Sequence, residues 1–179
     1  DQLNMENLWD AEKADAHSGS DLEMRVYSSR LLGQNADLVL HGGGNTSVKM
    51  THRDIFGDPE ELLYVKGSGW DLKTIESAGF SPARLERIRK LGELQELTDI
   101  EMARELKAAL IDPGAPSPSV EAILHALIPQ KFVDHTHADA VVAISNTPDG
   151  EARLRKLFGD RVLVLAYCMP GFELAKQVF

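Results

Sequence analysis

The sequence predicts an α/β sandwich on a mixed or largely antiparallel sheet. Short β-type runs interleave with stretches of helical period along the chain. An early pair of strand-like runs brackets a glycine-rich loop, which suggests an antiparallel pair and argues against a doubly wound parallel sheet. The chain has 179 residues, 43% apolar and 26% charged, enough for one substantial core and too apolar for disorder.

Taken in order, residues 10–34 read as helix interrupted at His17-Ser18-Gly19-Ser20, with Ser20 or Asp21 capping the second piece. Within that piece Met24, Tyr27 and Leu31 keep the helical period and Gly33 marks a stop. Residues 37–41 and 46–50 read as strands on either side of Gly42-Gly43-Gly44-Asn45. Gly57-Asp58-Pro59 is a turn, and residues 62–66 are a third strand ending in Gly67-Ser68-Gly69. Residues 82–96 read as an amphipathic helix with Leu85, Ile88 and Leu91 on one face, and residues 99–110 as another capped by Thr98 or Asp99. After a rigid connector, residues 112–116, Ser117 reads as a cap and Pro118 as the first position of a helix reaching Leu127. Residues 131–136 are a strand, 138–145 and 150–158 helices, 161–166 a buried strand, and Pro170-Gly171 opens a last helix.

Charge and composition exclude several classes of function. Lys and Arg total 19 against 28 Asp and Glu, a net charge of −9. Nucleic acid and anionic membrane surfaces both require a basic face, so neither is expected as a partner. The single cysteine, Cys168, rules out an intrachain disulfide and argues against a cysteine zinc site; beside Tyr167 it reads as packing. Trp9 and Trp70 read as core or interface aromatics. No apolar run approaches the ~20 residues needed to span a bilayer. Residues 1–10 carry no basic and apolar leader pattern, so a cytoplasmic chain is expected.

The residues that carry chemistry fall in four short motifs. His135-Thr136-His137 ends a strand, where positions i and i+2 share a face, so the two imidazoles either converge on a metal or sit half-exposed on a strand edge. Ser117-Pro118-Ser119-Val120-Glu121 offers hydroxyls and N–H groups suited to phosphate, with Glu121 a candidate general base or a surface acid. His125 lies one turn on and reads as a packed or supporting histidine. Gly42-Gly43-Gly44-Asn45-Thr46-Ser47 can expose successive N–H groups as an anion nest, or merely close a loop. It fails as a dinucleotide fingerprint, because Ser47 stands at the third glycine position. Lys66-Gly67-Ser68-Gly69 supplies a second set of donors, or an ordinary strand-ending turn.

In this order, the GGGNTS, KGSG, PSVE and HTH motifs resemble the class II aldolase/adducin family, from about Gly42 to the end of the chain. Within it, Asn7-Leu8-Trp9-Asp10, GGGNTSVK and VKGSGWDL look most like the aldolase part of bifunctional rhamnulose-phosphate aldolase/alcohol dehydrogenase proteins. The resemblance implies a three-layer sandwich, its mostly antiparallel sheet flanked by helices, formed by residues 1–179 as one domain that stops short of the family's C-terminal end. It implies a zinc-dependent aldolase that cleaves a ketose 1-phosphate to dihydroxyacetone phosphate and an aldehyde, in a homo-oligomer. His135 and His137 match zinc ligands, Glu121 the catalytic acid/base, and Asn45, Ser68, Gly69 and Ser119, with Gly44 beside them, the phosphate-holding loops. Two departures stand out. Val120 occupies the place of a second serine, and the third zinc histidine is expected beyond Phe179, since no histidine follows His137. The same family also implies, as alternatives, a sugar-phosphate 4-epimerase, a dehydratase, or a non-catalytic adducin-like interaction domain.

Overall fold

A computed structural model describes residues 5–178 of the chain. The leader reading of residues 1–10 falls partly on residues 1–4, which lie outside the described residues. Four strands, β1 (Asn45–Arg53), β2 (Pro59–Lys66), β3 (Phe80–Arg84) and β4 (Phe132–His135), form one open sheet in the order β3-β2-β1-β4. Every neighbouring pair is antiparallel. The helices among the described residues are α1 (Ala11–Ala16), α2 (Asp21–Gln34), α3 (Leu85–Gly92), α4 (Asp99–Ala108), α5 (Ala122–Leu127), α6 (Asp139–Ser145), α7 (Gly150–Phe158) and α8 (Phe172–Val178). None of them is long and apolar enough to cross a membrane.

Strand alternation divides the core between two helical layers. Leu63 and Val65 of β2 and Ala83 of β3 face α3, α4, α5 and α8, which contribute Leu85, Ile88, Leu91, Met102, Leu106, Ile123 and Phe172. Tyr64 and Phe80 face the other side, against Val39, Leu72, Ile75 and, from α2, Leu22 and Val26. The sheet therefore lies between two layers, as expected. The residues of α2 fully buried against it are polar, however: Ser29 Oγ lies 2.7 Å from Thr46 Oγ1, and Arg25 pairs with Asp134 of β4 at 2.6 Å. Met24, Tyr27 and Leu31, the expected stripe, are only half-buried. Gly33 does not stop α2; it lies within it, where the backbone of Leu72 and Lys73 packs into the space a Cβ would fill.

Several local signals read correctly. Ser20 caps α2, its hydroxyl accepting the N–H of Glu23 at 3.4 Å. Thr98 and Glu101 form a reciprocal capping box on α4. The turn around Gly57-Asp58 joins β1 to β2, with the Asp54 carboxylate accepting the N–H groups of Phe56 and Asp58 at 2.8 and 2.9 Å.

Four expectations are corrected. Residues 37–41 form turns instead of a strand, so no hairpin surrounds the glycine loop. An Asx turn from Asn35 bends the chain there, and the carbonyls of Asp37 and Leu38 instead accept N–H groups from Asp139 and His137, both at 2.8 Å. Residues 80–84 are a strand rather than a helix start: Pro82 sits on the sheet edge, where its missing N–H costs no ladder bond. Residues 117–120 are not helical, because the backbone of Ser117 and Ser119 bonds to Ser68 and Lys66 at the end of β2. The helix begins only at Ala122, with Glu121 before it and no side-chain cap, so the serines do not mark a helix N-terminus. Residues 161–166 form no strand, and Leu163 is 75% exposed. Cys168 accordingly follows an irregular segment, half-buried beside an exposed Tyr167, and is not packed behind a buried strand. Trp70 packs on the Val39 cluster, whereas Trp9 is half exposed with its ring edge-on to Tyr27.

Candidate active site

The register of the sheet builds the site. Asn45 pairs with His135 across β1 and β4, so their side chains project from the same face. The end of β2 carries the chain into Lys66-Gly67-Ser68-Gly69. The segment before α5 is tied to that loop by Ser68 N–H to Ser117 O at 2.8 Å and Ser119 N–H to Lys66 O at 3.1 Å. The turns before the glycine loop are tied to the segment after β4 by His137 N–H to Leu38 O at 2.8 Å. These loops enclose a cleft of about 310 Å³. Gly44, Asn45, Ser68, Gly69, Ser119, Glu121, His135 and His137 all line it. A larger recess of about 490 Å³ lies between α2 and residues 5–9. It is mainly apolar, and its Arg25 and Asp134 already neutralise each other, so the smaller cleft, where the titratable and hydroxyl side chains meet, is the candidate site.

Gly44 shows why the loop needs glycine. Its φ is +64°, and a Cβ there would stand 2.6 Å from Val39 Cγ1 and 2.7 Å from the carbonyl oxygen of His135. The backbone contact cannot yield without moving β4. Gly44→Ala is expected to cost about 1–3 kcal/mol of stability and to displace His135. Urea unfolding measures the first; a wild-type midpoint would refute this account of the loop.

Glu121 is buried at the floor of the cleft. Its Oε2 accepts Asn45 Nδ2–H at 2.5 Å and lies 2.9 Å from His135 Nδ1. Burial alone would push its carboxyl up, but the His135 ring and the Asn45 amide outweigh burial and hold it below the ordinary carboxylate value. Glu121 is thus ionised at neutral pH, as a base must be. Asn45 Nδ2 also donates to Ser119 Oγ at 3.2 Å. Behind Asn45 lies His125, 1% exposed, its Nε2 2.5 Å from Asn45 Oδ1 and its Nδ1 2.8 Å from Ser47 Oγ. The expected supporting role for His125 matches this position.

Burial lowers the His125 pKa from an ordinary 6.5 to about 3. The unfolded chain therefore binds one more proton between those values, and stability falls as pH drops below 6.5 toward 3. The slope from this one group is about 1.4 kcal/mol per pH unit at its steepest. Urea unfolding at pH 7 and pH 5 should show a larger acid loss for wild type than for His125→Gln; equal losses would mean the ring is already charged in the fold.

β4 ends at His135, so His137 lies just past the strand. The two rings nevertheless sit side by side, centroids 4.8 Å apart and planes at 61°. His135 Nδ1 is shielded from solvent and lies beside the Glu121 carboxylate, but the approach is not aligned as a hydrogen bond, so this nitrogen has no hydrogen-bond partner. An orphaned imidazole nitrogen beside a second imidazole and a carboxylate suits a cation. Yet among the described residues no group of three His, Cys, Asp or Glu side chains is placed to hold a metal ion. His125 cannot complete a set, since both its nitrogens are engaged, and His41 is exposed and does not line the cleft.

Sequence reasoning missed Lys66. Its side chain is 5% exposed and lines the cleft, and its ammonium donates to the Gly42 carbonyl at 3.2 Å. Burial lowers its pKa, while Asp71 and Glu121 favour the charged form. The available signal was a lysine at a strand end directly before Gly67-Ser68-Gly69. Pro170 and Val120 also line the cleft.

A sheet between two helical layers, with a polar cleft holding paired histidines, a buried carboxylate and glycine loops, defines an enzyme-like α/β domain. Residues 24–179 match the Class II Aldolase and Adducin N-terminal domain family, and the chain belongs to it. It is 39% identical over 174 residues to a Bacillus subtilis (strain 168) protein named "Uncharacterized oxidoreductase YuxG"; the match takes in 97% of this chain and 25% of that protein. The chain thus spans about a quarter of the length of that curated relative. Among solved structures it is similar, with a TM-score of 0.89 and 46% identity, to the N-terminal class II aldolase domain of a conserved protein from Thermoplasma acidophilum. That likeness covers 98% of this chain and 79% of the other.

Proposed function

We propose that the domain is a zinc-dependent aldolase that cleaves a ketose 1-phosphate to dihydroxyacetone phosphate and an aldehyde. The observation that carries this reading is the ionised, buried Glu121 set against the orphaned His135 nitrogen in a cleft lined by donor loops. His135 and His137 would hold the metal, which when bound supplies Lewis-acid polarisation of the substrate's carbonyl and hydroxyl oxygens. Lys66, the Ser119 hydroxyl and the backbone N–H groups of the two glycine loops bind the phosphate, which explains how a chain of net charge −9 accepts an anion. In the cleavage direction the hydroxyl on the carbon that leaves as the aldehyde gives up its proton as the C–C bond breaks, and Glu121 delivers a proton to the carbon left on the dihydroxyacetone phosphate half. Its burial keeps water from competing for that proton.

The relative's printed name, an oxidoreductase matched over a quarter of its length, fits a larger protein in which such a domain accompanies a dehydrogenase. A coupled assay for dihydroxyacetone phosphate from rhamnulose 1-phosphate or fuculose 1-phosphate tests the proposal. Release of product supports it; no cleavage of any ketose 1-phosphate sinks it.

A further inference from the structure

β1 presents Asn45 and Ser47 two positions apart on one face, and a single buried imidazole bridges them. Asn45 Oδ1 has no proton to give, so across the 2.5 Å contact His125 Nε2 must be the donor. In an uncharged ring Nδ1 is then bare and accepts the Ser47 hydroxyl at 2.8 Å. With Oδ1 pinned, the Asn45 amide can only aim Nδ2 at Glu121 Oε2 and Ser119 Oγ. A flipped amide would set its oxygen against the carboxylate and its NH2 against Nε2–H. Ser119 Oγ also accepts the N–H of Glu121 at 3.3 Å. Two donors into that oxygen leave its own hydrogen free to donate into the cleft.

We infer that His125, backed by Ser47, is a positioning residue that fixes the orientation of the Asn45 amide, and through it makes Ser119 a donor toward a bound anion. The proton order runs from Ser47 through His125 and Asn45 to Glu121 and Ser119, over a contact that joins residues 80 apart in sequence. The role goes beyond structural support, because any residue that fills the volume would keep the packing, but only an N–H donor at the Nε2 position holds the amide. A glutamine side chain in place of the imidazole can supply such a donor and a leucine side chain cannot, so His125→Gln and His125→Leu separate the two roles. The final step, anion donation by Ser119, rests on the proposed phosphate-binding reading of the cleft; the proton order does not.

The test is 15N NMR of the chain with inorganic phosphate as the probe. The wild-type His125 ring should show the Nε2–H tautomer near neutral pH, and the Asn45 NH2 pair should be well dispersed. His125→Gln should keep that pair and bind phosphate within about twofold of wild type, whereas His125→Leu should collapse it and weaken phosphate about tenfold. An Nδ1–H tautomer or a charged ring in the wild type overturns the inference, as does a His125→Leu protein with wild-type Asn45 signals. If His125→Leu does not fold, the wild-type tautomer still decides, and Ser47→Ala should erode the tautomer preference by removing the donor to Nδ1. If wild type ignores phosphate while the Asn45 signals respond as stated, the positioning role stands and the anion reading fails. Phosphate bound equally well by wild type and His125→Leu overturns the step from the amide to the anion, because Ser119 would then donate without a fixed Asn45.

Discussion

Glu121→Gln lowers kcat for ketose 1-phosphate cleavage by about 10³-fold while the domain keeps its fold, in the range expected for loss of a general acid/base. The substitution is nearly isosteric in a buried position. A glutamine oxygen in the place of Oε2 still accepts the Asn45 N–H and faces His135 Nδ1. Stability therefore stays close to wild type, and phosphate affinity is kept because Ser119, Lys66 and the loops are untouched. What is lost is a group able to take up and return a proton. Steady-state kinetics with the dihydroxyacetone phosphate assay, beside urea unfolding of the same sample, read both quantities. A variant that keeps more than about a tenth of wild-type kcat would remove Glu121 from the chemistry, since proton transfer by a positioned group contributes ~10²–10⁴-fold. A variant that loses activity together with its fold would instead trace the effect to the Asn45 contact.

Local signals picked residues that share one cleft more readily than they picked the strands of the sheet. Glycine loops, Ser119, Glu121 and the histidine pair are short motifs whose chemistry is written in adjacent residues. All of them line one cleft because strand ends naturally converge. The sheet was misread where tertiary pairing overrode local pattern. Residues 37–41 look like a strand, but only Val39 of that run is buried, its N–H turns back to Asn35, and the carbonyls of Asp37 and Leu38 go to the segment after β4. Residues 80–84 look like a helix start because of Pro82, yet an edge position tolerates proline. Residues 117–120 carry helix-start residues, but the end of β2 competes successfully for their backbone. Residues 161–166 are apolar enough for a strand, yet they pair with no sheet edge among the described residues. The link from His125 to Asn45 was invisible for a different reason. Nothing in a contiguous stretch announces a hydrogen bond between a six-residue helix and a strand 80 positions earlier. Lys66 was hidden by its type, since lysine at a strand end usually marks a solvated edge.

His135→Ala abolishes stoichiometric zinc binding, and His137→Ala does the same, each weakening affinity by at least ~100-fold. Loss of a direct ligand should exceed the 10–100-fold range typical of losing a supporting partner. The rings are held 4.8 Å apart, and no third His, Cys, Asp or Glu side chain among the described residues joins them to complete a metal set. Thermal stability should change little on substitution, since His135 is part-exposed and its Nδ1 carries no hydrogen bond to lose. Metal analysis after gel filtration, with a competitive zinc chelator to set affinity, measures the effect. A wild-type protein that is folded and free of zinc, and takes none up, would remove the metal from the site and turn the reading toward the non-catalytic adducin-like domain. Zinc retained at wild-type affinity by His135→Ala would place the ion elsewhere and leave the orphaned nitrogen without its proposed role.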